Sequence, residues 1–237
     1  MQIIIDLFLI LLGYLLGSIP SGLLIVKVKT GKDIRNVESG RTGGTNAFRA
    51  AGLMAVILTA FLDIFKSIVA VWLAQWLSPG NEWVHILAPI AAITGHNYSL
   101  YLPEFDENGK FKRFRGGAGG APALGGAIGL WAPSVLIILP LGAIVFFSMG
   151  YASITTLSVA FFSILVFGFR YFSGAPGANW ADVFYGVVAG ALLTWALRPN
   201  IKKLFAGTER VVSISIHGKI KAKKDQQEIQ EALNDVE

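Results

Sequence analysis

The sequence predicts an all-α integral membrane protein with about seven transmembrane helices, its N-terminus outside and its C-terminus cytoplasmic. Three observations carry that prediction. Hydrophobic residues fill 54% of the 237 positions, and they fall into runs approaching the roughly 20 residues that a helix needs to cross a bilayer. Glycine (27) and proline (9) are frequent inside those runs, as membrane helices tolerate. The basic residues, finally, gather into three segments between or after the runs. Seven spans leave no room for a second large domain, so the chain divides into a membrane domain over 1–210 and a cytoplasmic tail over 211–237.

The first apolar run, Ile3 to Val28, is interrupted only by Asp6, with Lys27 just inside its end, and basic residues follow it. A cleaved signal peptide carries its charge before the apolar run, so this is a permanent span. Leu53 to Leu77 is the second, Trp83 to Leu102 the third, and the glycine-rich stretch Gly119 to Trp131 a short fourth ended by Pro133. Val135 to Met149 and Ile154 to Phe169 are the fifth and sixth, with a helical hairpin inside the membrane as the alternative for this region. Ala181 to Leu197 is the seventh, stopping before Arg198-Pro199. Orientation follows from the basic residues, which are retained on the cytoplasmic side. Six lie between Lys27 and Arg49, four between Lys110 and Arg115, and eight from Arg198 onward, 18 of the chain's 20. An odd number of spans with an outside N-terminus puts all three segments on one side.

Composition excludes several functions. The chain has no cysteine and three histidines, His85, His96 and His217, so disulfides, thiolate chemistry and a histidine-rich metal centre drop out. A net charge of +5 without a basic stripe of interleaved aromatics gives no case for nucleic acid. No phosphate-loop lysine motif is present, and no His is followed by an Asp at the spacing of the His–Asp acyltransferases.

The unusual residues sit in the basic segments. Ser39-Gly40-Arg41-Thr42-Gly43-Gly44-Thr45-Asn46-Ala47-Phe48-Arg49 is a glycine-rich run whose N–H groups can form an anion-binding nest, with Arg49 as a fork for phosphate; the alternative is a loop that caps the second span. Arg115-Gly116-Gly117-Ala118-Gly119-Gly120 opens the fourth span. It suits a second anion at a helix N-terminus or, equally, close helix packing. Phe105 to Phe111 reads as a hairpin turning at Asn108-Gly109. Lys202-Lys203 reads as a membrane-surface anchor, and Asp63 and Lys66, one turn apart within a span, as an internal ion pair that fixes packing. In the tail, Val212, Ile214 and Ile216 alternate as in a short strand, and Ile229, Leu233 and Val236 have helical spacing. The tail is solvated, lies on the membrane surface, or docks a soluble enzyme.

Ser39-Gly40, Gly43, Asn46 and Arg49, then Gly95-His96, Ser99, Gly116-Gly117 and Gly119, then Asn200-Ile201-Lys202-Lys203-Leu204 and Gly207-Thr208-Glu209, with Leu62-Asp63-Ile64-Phe65-Lys66 between the first and second sets, resemble the bacterial acyl-phosphate-dependent glycerol-3-phosphate acyltransferases from about residue 10 to 210. The resemblance implies a multi-pass protein of the bacterial inner membrane, with an active site facing the cytoplasm. There glycerol-3-phosphate and a membrane-dissolved acyl phosphate give lysophosphatidic acid and phosphate, without cofactor or metal. It implies catalytic roles for Ser39, Asn46 and Asn200, and substrate contacts from Gly40, Arg41, Gly43, Arg49, His96, Arg115, Gly116, Gly117 and Gly119. Structural roles fall to Asp63, Lys66 and Glu209. It implies as partners the two substrates, membrane lipid and a soluble enzyme that makes the acyl phosphate. The chain departs from the family pattern where Arg41 replaces asparagine, Gly44 alanine, Ala118 lysine, Pro122 threonine and Leu197 histidine, and its loop before the glycines is longer. Either Arg41, Lys112 and Arg115 replace the missing positive charge, or the chain is a retired or reassigned relative that binds lipid or acts as a scaffold. A transporter is the remaining reading, against which stands the lack of an internal repeat.

Overall fold

The structure, a computed structural model, describes residues 1–234. Ten helices and one hairpin follow in order: α1 Gln2–Ser18, α2 Ser21–Thr30, α3 Gly44–Ala51, α4 Leu53–Leu77, α5 Glu82–Asn97, β1 Pro103–Phe105, β2 Phe111–Phe114, α6 Gly120–Leu130, α7 Val135–Met149, α8 Ala152–Phe172, α9 Trp180–Phe205 and α10 Ile216–Asn234. Five helical stretches are long and apolar enough to cross a membrane: 2–30, 53–77, 132–149, 152–172 and 180–205. Two further helices, α5 and α6, are shorter and pack within the bundle.

Helix α1 lies along α5, α4 along both α5 and α6, and α8 along α9. With lipid as solvent, close packing rather than water exclusion holds such helices together, and small residues permit it. Gly13 and Gly17 set α1 directly on the backbone at Ala88 and Ala92 of α5, and Gly125 sets α6 on the Ile64 carbonyl of α4. A Cβ at any of these three positions would collide with backbone. Ile86, Ile93, Leu124, Phe167, Tyr185 and Leu193 form the main core between α5, α6, α8 and α9. The Tyr185 hydroxyl, buried among them, donates to the Ala123 carbonyl at 2.7 Å. Leu136, Ile144 and Phe169 face outward, as lipid-facing residues do.

Several boundaries differ from those the sequence predicts, each for a local reason. The first span is not one helix: Pro20 has no N–H to donate and breaks it into α1 and α2. The carbonyls exposed by the break find side-chain donors, Ser99 Oγ to Ser18 O at 2.5 Å and Lys66 Nζ to Ile19 O at 3.1 Å. Asp6, the lone charge in α1, accepts from Ser78 Oγ and Asn81 Nδ2 at the far end of the bundle. Helix α5 ends at Asn97 rather than Leu102. The seventh span does not stop at Leu197; α9 continues two turns past Pro199. The Trp195 carbonyl, deprived of its i+4 N–H by that proline, accepts instead from Arg198 Nε at 3.1 Å. The hairpin forms as expected, with Asp106 Oδ1 accepting from the N–H groups of Asn108 and Lys110 and Gly109 at φ 73°. The expected strand at 212–216 is absent. Val211 makes a single bridge to Tyr151, and then Ser215 caps α10 by accepting from Gly218 N at 2.9 Å. Ile229 and Leu233 fall on α10, and Val236 lies outside the described residues.

Candidate active site

The ends of α4, α5, α6, α8 and α9 that meet the basic segments converge on one end of the bundle and enclose a cavity of about 370 Å³. Its polar part is lined by Ser39, Arg41, Arg49, Asn200, Lys203 and Glu209, and its other side by apolar groups such as Val56, Ala60, Leu124, Leu139 and Val159. One wall therefore suits an anion and the other an alkyl chain.

The first segment is not a free nest. After a tight turn at Ile34–Asn36 the chain crosses the cavity and enters α3, with Gly43 as its N-cap. Alanines 47, 50 and 51 favour that helix. It carries Arg49 on its last turn, facing the cavity, half-buried and with no hydrogen bond from its guanidinium to any described residue. Asn46 is tied into the loop through its amide nitrogen. Its Nδ2 donates to three carbonyls, Ile34 at 3.1 Å, Val37 at 2.9 Å and Arg41 at 2.9 Å, so the amide nitrogen is spent on folding the loop. Only its Oδ1, buried without a partner, remains. Ser39 keeps a free hydroxyl proton, its Oγ merely accepting from Arg41 N at 3.4 Å.

Arg41 is the best-connected cation. Its guanidinium donates to Gly117 O at 3.0 Å, Ala196 O at 2.7 Å and Asn200 Oδ1 at 3.1 Å. Burial pulls its pKa down from arginine's ordinary value, opposed by Tyr98 and Glu209; arginine starts high enough to stay charged. Asn200 in turn donates to Glu209 Oε1 at 3.1 Å, and Ser153 Oγ donates to Glu209 Oε2 at 2.6 Å. Asn200 is thus committed on both sides, and a continuous polar chain ties α8, the turn after α9, α9, the first loop and the glycine loop. Ala118 and Leu197 both line the cavity, each directly following in sequence a residue, Gly117 or Ala196, whose carbonyl holds Arg41.

The glycine loop is part packing surface and part cavity wall. Gly116 and Gly117 are packing glycines: the first sits on the His96 and Asn97 carbonyls, the second on the His96 ring, and Gly117 N donates to His96 O at 2.8 Å. Gly119, at φ 85°, is the N-cap of α6 and lines the cavity with Gly120, whose first-turn N–H groups have no side-chain cap. Arg115 does not reach the cavity; it donates to the Arg35 and Gly40 carbonyls and braces the first loop from behind. Gly40, at φ 66°, leaves space for that guanidinium. Lys112 is exposed on β2 and also lies away from the cavity. Of the three expected substitutes for the lost charge, the structure brings only Arg41 into the site.

At the cavity floor, which Asp63 and His96 help to line, Lys66 Nζ lies 2.9 Å from Asp63 Oδ1 and 3.0 Å from His96 Nδ1, and all three groups are buried. The expected ion pair is present, and His96 joins it. Three charged lining residues, Glu38, Lys203 and Arg210, are ones to which the sequence gives no role in the site. Lys203 had a usable signal, because a helix carried through Pro199 places Leu197, Asn200 and Lys203 on one face at three-residue spacing.

Fold and site together define a helix-bundle membrane protein with a cation-lined, half-apolar cavity at its basic end. A family model described as glycerol-3-phosphate acyltransferase matches residues 7–207. The chain is 37% identical to the glycerol-3-phosphate acyltransferase of Rubrobacter xylanophilus, over 87% of this chain and 94% of that one, and 35% identical to that of Thermus thermophilus, over 85% and 92%. It superposes on the crystal structure of PlsY (YgiH), an integral membrane glycerol 3-phosphate acyltransferase, in its glycerol 3-phosphate form with a TM-score of 0.72 at 31% identity, covering 87% of this chain and 94% of that one. The lysophosphatidic acid form gives 0.70 at 29% identity. The chain belongs to the glycerol-3-phosphate acyltransferase family.

Proposed function

We propose that the protein transfers an acyl group from acyl phosphate to glycerol-3-phosphate, releasing lysophosphatidic acid and inorganic phosphate. The observation that carries this is the two-sided cavity: free cation donors at Arg49 and Lys203, with Arg41 behind them, face an apolar wall between α4, α6, α7 and α8. A soluble phosphate monoester and a lipid-soluble acyl donor can meet only where both surfaces exist. Arg49 binds the acceptor phosphate, Lys203 and the first turn of α6 take the donor phosphate, and Ser39 and Asn46 Oδ1 order the glycerol hydroxyls. Asn200 and Glu209 act by holding Arg41.

An acyl phosphate is a mixed anhydride. The acceptor oxygen bonds to the carbonyl carbon, the carbon–oxygen bond to phosphate breaks, and positioning with charge stabilisation supplies most of the acceleration. The cavity's candidate bases are occupied: Glu209 accepts from Ser153 and Asn200, Asp63 and His96 Nδ1 lie against Lys66, and His96 Nε2 is turned to Gly117. The hydroxyl proton therefore leaves with the departing phosphate, itself a competent base near neutral pH. The retired-relative reading is disfavoured by Arg41, a charge that lines the cavity together with Ala118 and Leu197 and is held by three hydrogen bonds.

The same reading places seven segments in the bacterial inner membrane, with α5 and α6 completing the five long ones, the N-terminus outside and the site on the cytoplasmic face. The scheme requires a soluble enzyme that makes acyl phosphate. Purified protein given acyl phosphate should form lysophosphatidic acid only when glycerol-3-phosphate is added; donor consumption without that dependence, or none at all, refutes it.

A further inference from the structure

A second cavity, of about 540 Å³, adjoins the first on its outer side. Glu38, Arg49 and Arg210 line both. The rest of the outer wall, including Ser213, Lys221 and Asp225, comes from the tail, beyond residue 207 where the family match ends. That tail is seated: Val212 N donates to Gly150 O at 2.8 Å, and Ser215 is fully buried against Gly150.

Glu38 stands at the junction and is unusual in two ways. It is the only non-glycine residue among those described with a positive φ, 49°, a conformation that L side chains other than Asn and Asp rarely adopt. Its carboxylate also pairs with Arg210, so the strained residue and the tail's arginine meet at the wall that the two cavities share. The two side chains are 44% and 58% exposed, and an ion pair so open to water is weak. A dianionic phosphate ester offers Arg210 more charge and more acceptor oxygens than one carboxylate does.

We propose that the outer cavity is a docking subsite for a phosphate monoester, in which Arg210 and Lys221 receive the phosphate before it passes to Arg49. Glu38 is the gate, holding Arg210 until phosphate displaces it. The identity of the monoester as glycerol-3-phosphate rests on the acyl-transfer reading; the subsite itself rests on the cavity and the pair. A purely structural pair, by contrast, would serve only to hold the loop that carries Ser39.

The two alternatives differ in sign. In the purified full-length protein, Arg210→Gln and Glu38→Gln are compared by the glycerol-3-phosphate dependence of transfer at saturating donor, and by calorimetric titration of glycerol-3-phosphate without donor. Arg210→Gln should raise KM and Kd about fivefold with kcat within about twofold, and Arg210→Lys should restore most of the loss, as expected for a steering and capture charge. Glu38→Gln, which frees Arg210, should lower both constants about two- to threefold, and Lys221→Gln should raise them about twofold. If Arg210→Gln and Glu38→Gln both weaken the protein, or neither shifts KM or Kd, the gate is overturned while the acyl-transfer reading stands. A wild-type protein that neither transfers nor binds glycerol-3-phosphate overturns both.

Discussion

Replacing Arg41 by Asn removes the cation held by the carbonyls of Gly117 and Ala196, the residues that precede Ala118 and Leu197. Its three acceptors, Gly117 O, Ala196 O and Asn200 Oδ1, would lose a charged donor, at about 1 to 3 kcal/mol for each acceptor left unsatisfied. The cavity is wide enough for water to take up much of that loss, so fold stability should fall modestly. The larger effect is on the anions. One unit charge about 6 Å from a dianion at an effective dielectric of roughly 30 contributes between 3 and 4 kcal/mol, and partial screening leaves about 2 to 3 kcal/mol. Arg41→Asn should therefore lower kcat/KM for glycerol-3-phosphate by about 30- to 150-fold, at about 1.4 kcal/mol per decade. Adding Ala118→Lys to the same chain returns a cation beside Gly117 and should recover at least a tenth of wild-type transfer. The assay is lysophosphatidic acid formed by purified protein against acceptor concentration. Two results would refute the reasoning: Arg41→Asn within threefold of wild type, or an inactive wild type that Ala118→Lys with Leu197→His converts into a transferase.

Arg49→Lys keeps the charge but loses the two-pronged geometry, and should raise KM for glycerol-3-phosphate about tenfold with a smaller change in kcat, read from the same assay. Lys66→Met strands the buried Asp63 carboxylate and the Ile19 carbonyl together; breaking a buried pair in this way costs about 3 to 5 kcal/mol, seen as a Tm drop of several degrees in detergent. Asp63→Asn with Lys66→Met should be milder than Lys66→Met alone, and equal or greater loss would mean that the pair is not what stabilises this region. For orientation, cysteines at the exposed positions Gly80 and Asn108 should label differently in intact cells: Gly80→Cys without permeabilisation and Asn108→Cys only with it. The reverse pattern would place the basic end outside.

Much of this was readable from residue order because composition and local chemistry agree there. The second and fifth spans match α4 and α7 end to end, since Gly52 and Gly150 flank them directly and Pro79 and Pro133 lie two residues beyond their other ends. The Asp63–Lys66 pair was readable because both members lie on one turn. What the sequence hid depends on distant partners. Pro20 looked tolerable within a long apolar run because nothing local shows that Lys66 and Ser99, far along the chain, will satisfy the carbonyls it exposes. Pro199 looked like a terminator because the rescue by Arg198 is a side-chain geometry. Arg115 and Arg41 looked equivalent as cations near glycines; their separation into brace and site residue is decided by which carbonyls the folded loop presents. The internal hydrogen bonds of Asn46, to three loop carbonyls, and of Asn200, to Arg41 and Glu209, depend on how the chain folds and are not visible in residue order.

The pairing of Asp63 with Lys66 within α4 also bears on how the chain enters the bilayer. A segment that carries two opposite charges one turn apart can neutralise them from its own residues before any other helix is beside it, so the cost of taking α4 into lipid does not wait on the arrival of α5. The remaining Lys66 valence, toward Ile19 O, can be met as soon as α1 and α2 are present, and these emerge first. His96 comes last, and docking it onto Lys66 closes the floor of the cavity. Charges that would ordinarily impede insertion are thus arranged in the order of synthesis, each acquiring its partner from chain that has already left the ribosome.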